Sequence, residues 1–405
     1  MSSLLERVKE ENPLRNKIEE YSQPREENGK IAKYYCPLHD DKDDPSLAYY
    51  KDQDTAYCYG CGKYVGNAVD FVKFMEGIDF KEALHQVAVD SNISIDDDSK
   101  KEYNRNKKIR KRLEELTNEF KSNLYNNKKI LRYLMKERRL TKDTIKEFEL
   151  GYCTNKEKKS LRKFNNRITL PIKDKYGRYL ALAGRIVPSE ESNRAKYMNS
   201  GKDEIPFFRK EEVIFNFNRA KQYINKKGYV VWTEGYFDVM LPYQYGVKNI
   251  VASMGTAVTD KQIYEMSKIT DTVYMFLDPD DSGKEALIKS LEKFDEYDIV
   301  LKVVNNGHAD KDPADLALIY KNNLDDYIEK NVVTVEQFFT EEILSKYNKK
   351  VIDAKREAVN KLSFIFKDRL NKPETQFVLE NVASQLDLSS SSFLYNKLKG
   401  DKDEK

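Results

Sequence analysis

Cysteine and histidine residues occur near the N-terminus at a spacing that is typical of a metal site. Cys36 and His39 are separated by two residues, and Cys58 and Cys61 form a second such pair after 18 intervening residues. Two residues between ligands let one turn direct both donors at the same metal, and two pairs complete a closed tetrahedral shell. We therefore expect structural Zn²⁺ that stabilises a small domain. The alternative is that the cysteines are surface residues that happen to be paired.

Carboxylates follow two apolar segments later in the chain. Glu234 ends the segment YVVWTE, with Asp238 one helical turn further on, while Asp278 and Asp280 end the segment TVYMFLDPD. Residues at the carboxyl ends of parallel strands converge on one crevice, which Asp312 would share. Clustered carboxylates repel one another without cations, and hard oxygen ligands suit Mg²⁺ or Mn²⁺. The pattern predicts metal-assisted phosphoryl or nucleotidyl transfer. Three further aspartates could equally cap helices or bind water: Asp281, Asp310 and Asp315.

The elements that must position these residues indicate a multidomain protein of the α+β and α/β classes. Strand-like and helical segments alternate from about 165 to 330, which predicts an α/β domain with a largely parallel sheet. Residues 99–112, SKKEYNRNKKIRKR, are strongly basic and are interpreted as a linker running into a helix. In residues 333–399 the apolar residues again have the spacing of helices. We divide the chain into four regions: 1–98, 99–225, 226–330 and 331–405.

Composition restricts the compartment and the partners. Charged residues make up 34% of the 405 residues but the formal net charge is only +3, so any nucleic-acid surface must arise from local clustering. The sequence contains no apolar run long enough to cross a bilayer, and its N-terminus is too charged for a secretion signal. We expect a cytoplasmic protein without a membrane partner. In that reducing compartment, four cysteines favour metal over disulfides.

Two groups of motifs resemble a known family. Cys-Pro-x-His, Cys-Tyr-Gly-Cys and GNAVDFV resemble the CHC2 zinc ribbon of bacterial primases, and Glu-Gly-Tyr-x-Asp, Asp-x-Asp and Lys-Asp-Pro-x-Asp resemble the TOPRIM signature. In this order they resemble the DnaG-type primase family, from about residue 5 to 330 and more weakly to about 400. The resemblance implies an N-terminal zinc ribbon, an α/β TOPRIM-containing RNA polymerase domain and a C-terminal helical region. It also implies Mg²⁺-dependent synthesis of short RNA primers on single-stranded DNA from ribonucleoside triphosphates.

The resemblance also implies roles for individual residues. Glu234, Asp278 and Asp280 match the family's catalytic acidic residues, and Asp238 and Asp312 match acidic positions of the same metal site. The late motif is DPAD here instead of Asp-Pro-Asp, which leaves open whether Asp315 supplies the displaced carboxylate. Five residues match basic motifs of the template and nucleotide groove: Arg185, Lys196, Tyr197, Asn199 and Lys210. Arg167, Lys173 and Arg178 belong to the same region with less support. For each of these, a solvated surface position is the alternative.

Other functions are compatible with parts of this pattern. TOPRIM sites also occur in metal-dependent nucleases, and a replication protein that only binds single-stranded DNA is a further alternative. A fused primase–helicase is disfavoured because the sequence has no G-x-x-x-x-G-K-[ST] loop. Residues 333–399 could form a reduced helicase-docking helix pair or no docking module at all. We expect a monomer in a bacterial cell or a phage-infected host, and the sequence does not specify the initiation trinucleotide.

Overall fold

Two compact units make up the chain. The computed structural model describes residues 4–39, 41, 44–94, 97–154, 159–187, 194–255, 257–276, 281–305, 307, 311–346, 351–366, 369 and 373–386. The first unit consists of Met1–Leu116 together with Tyr176–Leu180, and the second of Thr117–Lys175 together with Ala181–Lys405. Each unit has buried apolar residues of its own. The finer division into four regions that the sequence suggested stays a prediction.

The first unit contains a five-stranded antiparallel sheet whose strands are neighbours in chain order. The strands are β1 (Pro24–Glu27), β2 (Ile31–Tyr34), β3 (Leu47–Tyr50), β4 (Thr55–Cys58) and β5 (Tyr64–Val65). The helices before and after the sheet are α1 (Leu4–Glu11), α2 (Leu14–Glu19), α3 (Ala68–Glu76) and α4 (Phe80–Asp90). Tyr34 and Phe71 are fully buried in the core that the sheet shares with α2 and α3. Asn67 begins α3 by accepting hydrogen bonds from two backbone amides, and Gly77 ends it in the left-handed conformation.

A single helix, α5 (Asp97–Asn126), occupies the segment that the sequence suggested was a linker. The first part of α5 belongs to the first unit and the part from Thr117 belongs to the second unit. Every third or fourth residue from Leu113 is buried, namely Leu113, Leu116, Phe120 and Leu124. This spacing explains why the helix continues through a segment that is otherwise polar.

The second unit contains two sheets, where the sequence suggested one largely parallel sheet over 165–330. The first of these has the strand order β6 (Gly151–Cys153), β7 (Arg167–Lys173), β8 (Tyr179–Ile186) and β9 (Tyr197–Asn199). Only five residues separate β7 from β8, which is too short for the crossover that parallel neighbours need. These strands therefore form a separate sheet. The helices α6 (Lys128–Lys136) and α7 (Lys142–Glu147) precede it.

The other sheet of the second unit is mostly parallel, as predicted. Its strands are β10 (Val230–Thr233), β11 (Ile250–Ala252), β12 (Thr272–Met275), β13 (Val300–Val304) and β14 (Val332–Thr334), in the order β11-β10-β12-β13-β14. Only β14 runs antiparallel to its neighbour. The helices between them are α8 (Phe217–Lys227, before β10), α9 (Tyr236–Gln244), α10 (Asp260–Ser267), α11 (Asp281–Glu296), α12 (Pro313–Tyr320) and α13 (Leu324–Asn331). Trp232 of β10 is fully buried against the edge of Phe294.

The C-terminal region is helical, as predicted, as far as the structure describes it. It consists of α14 (Val335–Lys346), α15 (Ile352–Phe366) and α16 (Pro373–Gln385). Arg369 is buried, and its guanidinium pairs with Glu336 of α14 and Asp295 of α11. A paired buried charge thus links the C-terminal region to α11, and α14 also contacts β13 and β14 of the parallel sheet. No helix among the described residues is both long and apolar enough to cross a membrane.

Candidate functional site

The four predicted zinc ligands meet in the first unit. Cys36 follows β2 and Cys58 ends β4, while His39 and Cys61 lie in the turns that come next. Their ligand atoms all lie within 4.8 Å of one another, and Nε2 of His39 is 3.2 Å from Sγ of Cys58. Three thiols and one imidazole in this arrangement fit the closed tetrahedral shell of a structural Zn²⁺. The structure therefore brings together the complete set that the spacing predicted.

Two glycines allow the second pair of ligands to form this cluster. Gly62 adopts a left-handed φ of 68° and donates to the carbonyl of Cys58, which closes the turn around Cys61. The amide of Cys61 donates to Sγ of Cys58 at 3.3 Å, so the turn also stabilises the thiolate. A β-carbon on Gly60 would lie 2.6 Å from Nε2 of His39. Gly60 is thus required because the imidazole occupies the space of a side chain.

Asp41 and Ser46 support the cluster from outside the ligand set, and sequence reasoning missed both. One carboxylate oxygen of Asp41 accepts hydrogen bonds from the amides of Cys36 and Ser46 and from the Ser46 hydroxyl. Burial opposes ionisation of Asp41, but these donors outweigh it and hold the pKa of the carboxyl below its usual value. The Ser46 hydroxyl lies 3.2 Å from Sγ of Cys58. Such residues orient metal ligands, but their spacing carries no signal in the sequence.

Glu234 lies at the carboxyl edge of the parallel sheet, as predicted. It directly follows β10, which pairs in parallel with β11 on one side and β12 on the other. The amide of Phe276 donates to the carbonyl of Trp232, so the chain beyond β12 leaves the sheet at the same edge. The amide of Gly255, in the loop after β11, donates to the carbonyl of Glu234 at 2.8 Å. Three strand ends therefore surround Glu234, and its Oε1 atom is buried.

Asp238 is held close to the backbone that carries Glu234. It lies in the first turn of α9, where the helix dipole favours a carboxylate. A β-carbon on Gly235 would lie 2.3 Å from Oδ2 of Asp238. The absence of a side chain at position 235 therefore lets the carboxylate of Asp238 fold back toward the end of β10. Glu234 directly follows β10 and Asp238 lies in the first turn of α9, and oxygen-donor side chains of this kind are the ligands that a hard divalent cation prefers.

The remaining acidic residues of the predicted site are only partly described. Asp278, Asp280 and Asp310 lie outside the described residues, as does the side chain of Asp281. Oδ1 of Asp312 accepts from the amide of Asp315, so Asp312 is the N-cap of α12, and Asp315 is exposed. Within the described ranges, the Cys/His cluster is the only group of three or more potential metal ligands. The metal-binding roles of Glu234, Asp238, Asp278, Asp280 and Asp312 stay predictions.

Three of the five predicted groove residues lie together on β8 and β9. Arg185 pairs with Tyr197 across the two strands and donates to its hydroxyl, and the Arg185 guanidinium lies over the ring of Phe237 on α9. The Tyr236 hydroxyl donates to Asn199 at 2.9 Å. Burial raises the pKa of the Tyr197 hydroxyl, Arg185 opposes this rise and Asp238 adds to it. Tyr197 is therefore protonated near neutral pH and can donate a hydrogen bond.

Arg138 joins this cluster and was missed in the sequence. It follows α6, and its guanidinium lies 4.4 Å from the ring centroid of Phe237, which also contacts Arg185 at 4.9 Å. Phe237 thus contacts two cations, each worth about 0.5–2 kcal/mol depending on its exposure. The Nε atoms of both arginines are buried without a hydrogen-bond partner in the described part of the chain. No sequence signal separates Arg138 from the neighbouring Arg139, because the contact depends on tertiary packing.

The other basic residues take different positions. Lys196 is exposed, and Lys210 is half-buried at the start of a short 3-10 helix, where burial lowers its pKa. Arg167 is only 1% exposed, and its guanidinium donates to the carbonyls of Lys163, Gly184 and Lys196. From inside the core it links β8 to the residue that precedes β9, so the prediction that Arg167 lies on the groove surface is wrong. Lys173 and Arg178 pair with Glu149 and Glu82, respectively.

The chain combines a zinc ribbon with a parallel-sheet domain that has acidic residues at its carboxyl edge. Comparisons with known families find the same combination of domains. Residues 1–103 match the CHC2 zinc finger, residues 153–221 match the DNA primase catalytic core, N-terminal domain, and residues 231–317 match the Toprim-like family. These matches confirm the resemblance, since the chain has the domain composition of the DnaG-type primase family.

Individual relatives support the same family, and a solved structure supports the fold. The DNA primase of Aquifex aeolicus is 29% identical over 313 residues, covering 71% of this chain and 61% of the relative. The DNA primase of Helicobacter pylori is 31% identical over 310 residues, covering 69% and 53%. The crystal structure of the Aquifex aeolicus primase zinc-binding and RNA polymerase domains matches with a TM-score of 0.56 at 24% identity, covering 97% of this chain and 99% of that one. The chain spans between half and two thirds of the length of these two curated relatives.

Proposed function

We propose that this chain is a DNA primase that synthesises short RNA primers on single-stranded DNA during replication. The observation that carries the proposal is the position of Glu234 and Asp238 at the carboxyl edge of a Toprim-like sheet, on the same loop and helix that contact Arg185 and Tyr197. Acidic groups can hold a metal ion and basic groups can bind phosphates, so their proximity suits a reaction between a metal-bound triphosphate and a hydroxyl. The curated relatives named DNA primase are longer than this chain, so the activity is inferred from the shared part.

The acidic edge is proposed to hold Mg²⁺, with Mn²⁺ as the alternative. Glu234, Asp238, Asp278, Asp280 and Asp312 offer oxygen donors only, which is the chemistry that these hard cations prefer. Bound cations would stabilise negative charge on the attacking 3′ oxygen and on the leaving pyrophosphate. Gly235 keeps the end of β10 open, so that Asp238 can approach the same place as Glu234. The catalytic residues of this proposal are Glu234, Asp278 and Asp280.

The cluster on β8 and β9 is proposed to hold the phosphates of a ribonucleoside triphosphate or of the template. Arg185 and Arg138 present two guanidinium groups fixed against Phe237, and each keeps a buried Nε–H without an acceptor among the described residues. Guanidinium forks suit phosphate oxygens. The protonated Tyr197 hydroxyl and Asn199 add neutral hydrogen-bonding groups. Lys196 and Lys210 are proposed to extend the same groove.

The zinc ribbon is proposed to contact the template. Tyr59 and Tyr64 are 71% and 60% exposed, and Tyr57 packs edge-to-face on Tyr59. Exposed aromatic rings fixed by neighbouring rings can stack on unpaired bases. The Zn²⁺ itself would be structural, because the four ligands close its shell. In this proposal the ribbon acts in primer initiation, where the template must be held before any product exists.

Further expectations about partners follow from the proposed activity. The substrates would be single-stranded DNA and ribonucleoside triphosphates, and one solved neighbour, at 19% identity, is the DnaG primase catalytic domain bound to ssDNA. A replicative helicase as partner, a monomeric state and a cytoplasmic location are part of the proposal. The described C-terminal helices α14 to α16 pack against the Toprim-like sheet and one another. On these helices, a helicase could contact only the outer surfaces.

The experiment that tests this function uses the full chain with single-stranded DNA, labelled ribonucleotides and Mg²⁺. New RNA would support the primase, whereas shortened DNA without RNA would support the nuclease alternative. Glu234→Gln should abolish RNA synthesis while leaving DNA binding intact, because it removes a metal ligand and no basic residue. Glu296→Gln, at an exposed position on α11, is the matched control and should retain activity. Full activity of both variants would contradict the assigned site.

A further inference from the structure

The first part of α5 has an unusual concentration of positive charge. Residues 99–112 contain eight basic residues and one acidic residue, whereas the formal net charge of the whole chain is +3. Without this segment the rest of the chain would be net negative. A large part of the chain's attraction for polyanions must therefore come from this one stretch of helix.

Seven of the eight basic side chains lie on one side of the helix. At about 100° per residue they fall within an arc of about 160°. All of them are exposed, and the single acidic residue, Glu102, lies outside the arc. Arg110 lies on the opposite side, where it pairs with Glu82, and Leu113 is buried. The basic face of α5 is defined by Lys100, Lys101, Arg105, Lys107, Lys108, Lys111 and Arg112.

This arrangement costs helix stability. Lys107 and Lys111 are four residues apart, as are Lys108 and Arg112, and like charges at this spacing repel each other. Arg112 of the face pairs with Glu115 at 3.4 Å, and Glu115 itself lies outside the face. A helix selected only for stability and solubility would alternate acidic with basic residues at these positions. The repulsion is relieved once a partner places negative charges along the face.

We propose that the basic face of α5 binds the sugar–phosphate backbone of the template strand without regard to sequence. From Lys100 to Arg112 the helix is about 18 Å long, which matches about five phosphates of one stacked strand. The face contains no aromatic residue that could stack on bases. Its opposite side is packed in the first unit, so it lacks the free apolar face of a membrane-surface helix. The inference rests on the proposed function only for the identity of the polyanion.

The test compares two variants of the full chain that lose the same charge. One is Lys100→Gln, Lys108→Gln, Lys111→Gln on the basic face, and the control is Lys226→Gln, Lys289→Gln, Lys330→Gln at exposed positions of other helices. Binding of fluorescent single-stranded DNA is measured by anisotropy over a range of salt concentrations. Three lost contacts should reduce the slope of log affinity against log salt by about 2, at about 0.7 for each single-strand phosphate. Thermal unfolding without DNA should be no lower than in the wild type, because repulsion is removed.

The outcomes separate this inference from the proposed function. Wild-type protein that fails to bind DNA at any salt concentration would contradict both. Wild-type binding with equal slopes in the two variants would contradict the basic face alone and leave the primase proposal standing. An oligoglutamate peptide serves as a second ligand. Loss of peptide binding in the basic-face variant, with DNA binding retained, would identify an acidic protein as the partner and overturn the proposal.

Discussion

A β-carbon at position 60 would lie 2.6 Å from Nε2 of His39, so the glycine between Cys58 and Cys61 gives the imidazole its place in the metal cluster. This contact links the turn that carries His39 to the turn that carries Gly60. Backbone space in one turn determines whether the ligand from the other turn can reach the metal. The CHC2-type ribbon therefore depends on Gly60 although this residue carries no ligand atom.

Replacing Gly60 by alanine should weaken zinc binding. The added methyl group would displace the imidazole, and changes at positions that only orient a metal ligand typically cost about 10- to 100-fold in metal affinity. Competition with a chromophoric chelator measures this affinity directly. Gly29→Ala is the matched control, because no atom lies within 4 Å of a β-carbon there. Equal zinc affinity in the two variants would show that His39 does not need the space over Gly60.

Replacing Gly235 by alanine should impair primer synthesis without unfolding the protein. The new β-carbon would lie 2.3 Å from Oδ2 of Asp238 and would force this carboxylate away from the end of β10. A displacement of about 1 Å at a reacting centre can cost about 10²-fold in rate. RNA synthesis at saturating template and nucleotide measures the effect. In the control Gly201→Ala, the nearest atom is Nζ of Lys163 at 3.9 Å, and activity should persist. A fully active Gly235→Ala enzyme would remove Asp238 from the site.

The zinc ligands and the edge of the parallel sheet could be predicted because both depend on local pattern. Two residues between Cys58 and Cys61 specify a turn whatever the rest of the chain does. A buried strand that ends in Glu234 specifies an edge wherever the sheet lies. The strands after residue 165 were likewise found, but not their division into two sheets. That division depends on the short connection between β7 and β8, which permits only a neighbouring strand of opposite direction.

The basic residues could be predicted only in part. Arg185 and Tyr197 meet because they face each other across two strands. Arg138 reaches the same cluster through the packing of α6 and α9, which no spacing in the sequence encodes. Arg167 carries the same charge but is only 1% exposed. It packs against Gly184, where a side chain would occupy the space of the arginine. The depth of burial, and not the residue type, therefore distinguishes the candidate groove residues from Arg167, whose role is structural.

Replacing Tyr197 by phenylalanine should destabilise the cluster around Arg185. The change removes the hydroxyl that accepts a hydrogen bond from the guanidinium, and an orphaned donor at such a site costs about 1–3 kcal/mol. Urea unfolding measures the loss, and the KM for ribonucleotides should rise as well. Tyr125→Phe, at a position that is 44% exposed, is the control and should change neither quantity. An unchanged free energy of unfolding for Tyr197→Phe would mean that this hydrogen bond contributes nothing.

Tyr243 should make the free energy of unfolding decrease in alkaline solution. Burial, followed by the charge of Glu147, raises the pKa of this hydroxyl from about 10 to about 12, although Arg219 opposes the rise. Above about pH 10 the unfolded chain loses this proton while the folded chain keeps it, so stability is lost as the pH rises toward about 12. Urea unfolding at several pH values should therefore show a shallower alkaline decline for Tyr243→Phe than for the wild type. Tyr264→Phe, at a half-exposed position, should retain the wild-type decline. Identical pH dependence in all three proteins would show that the Tyr243 hydroxyl ionises equally in the folded and unfolded states.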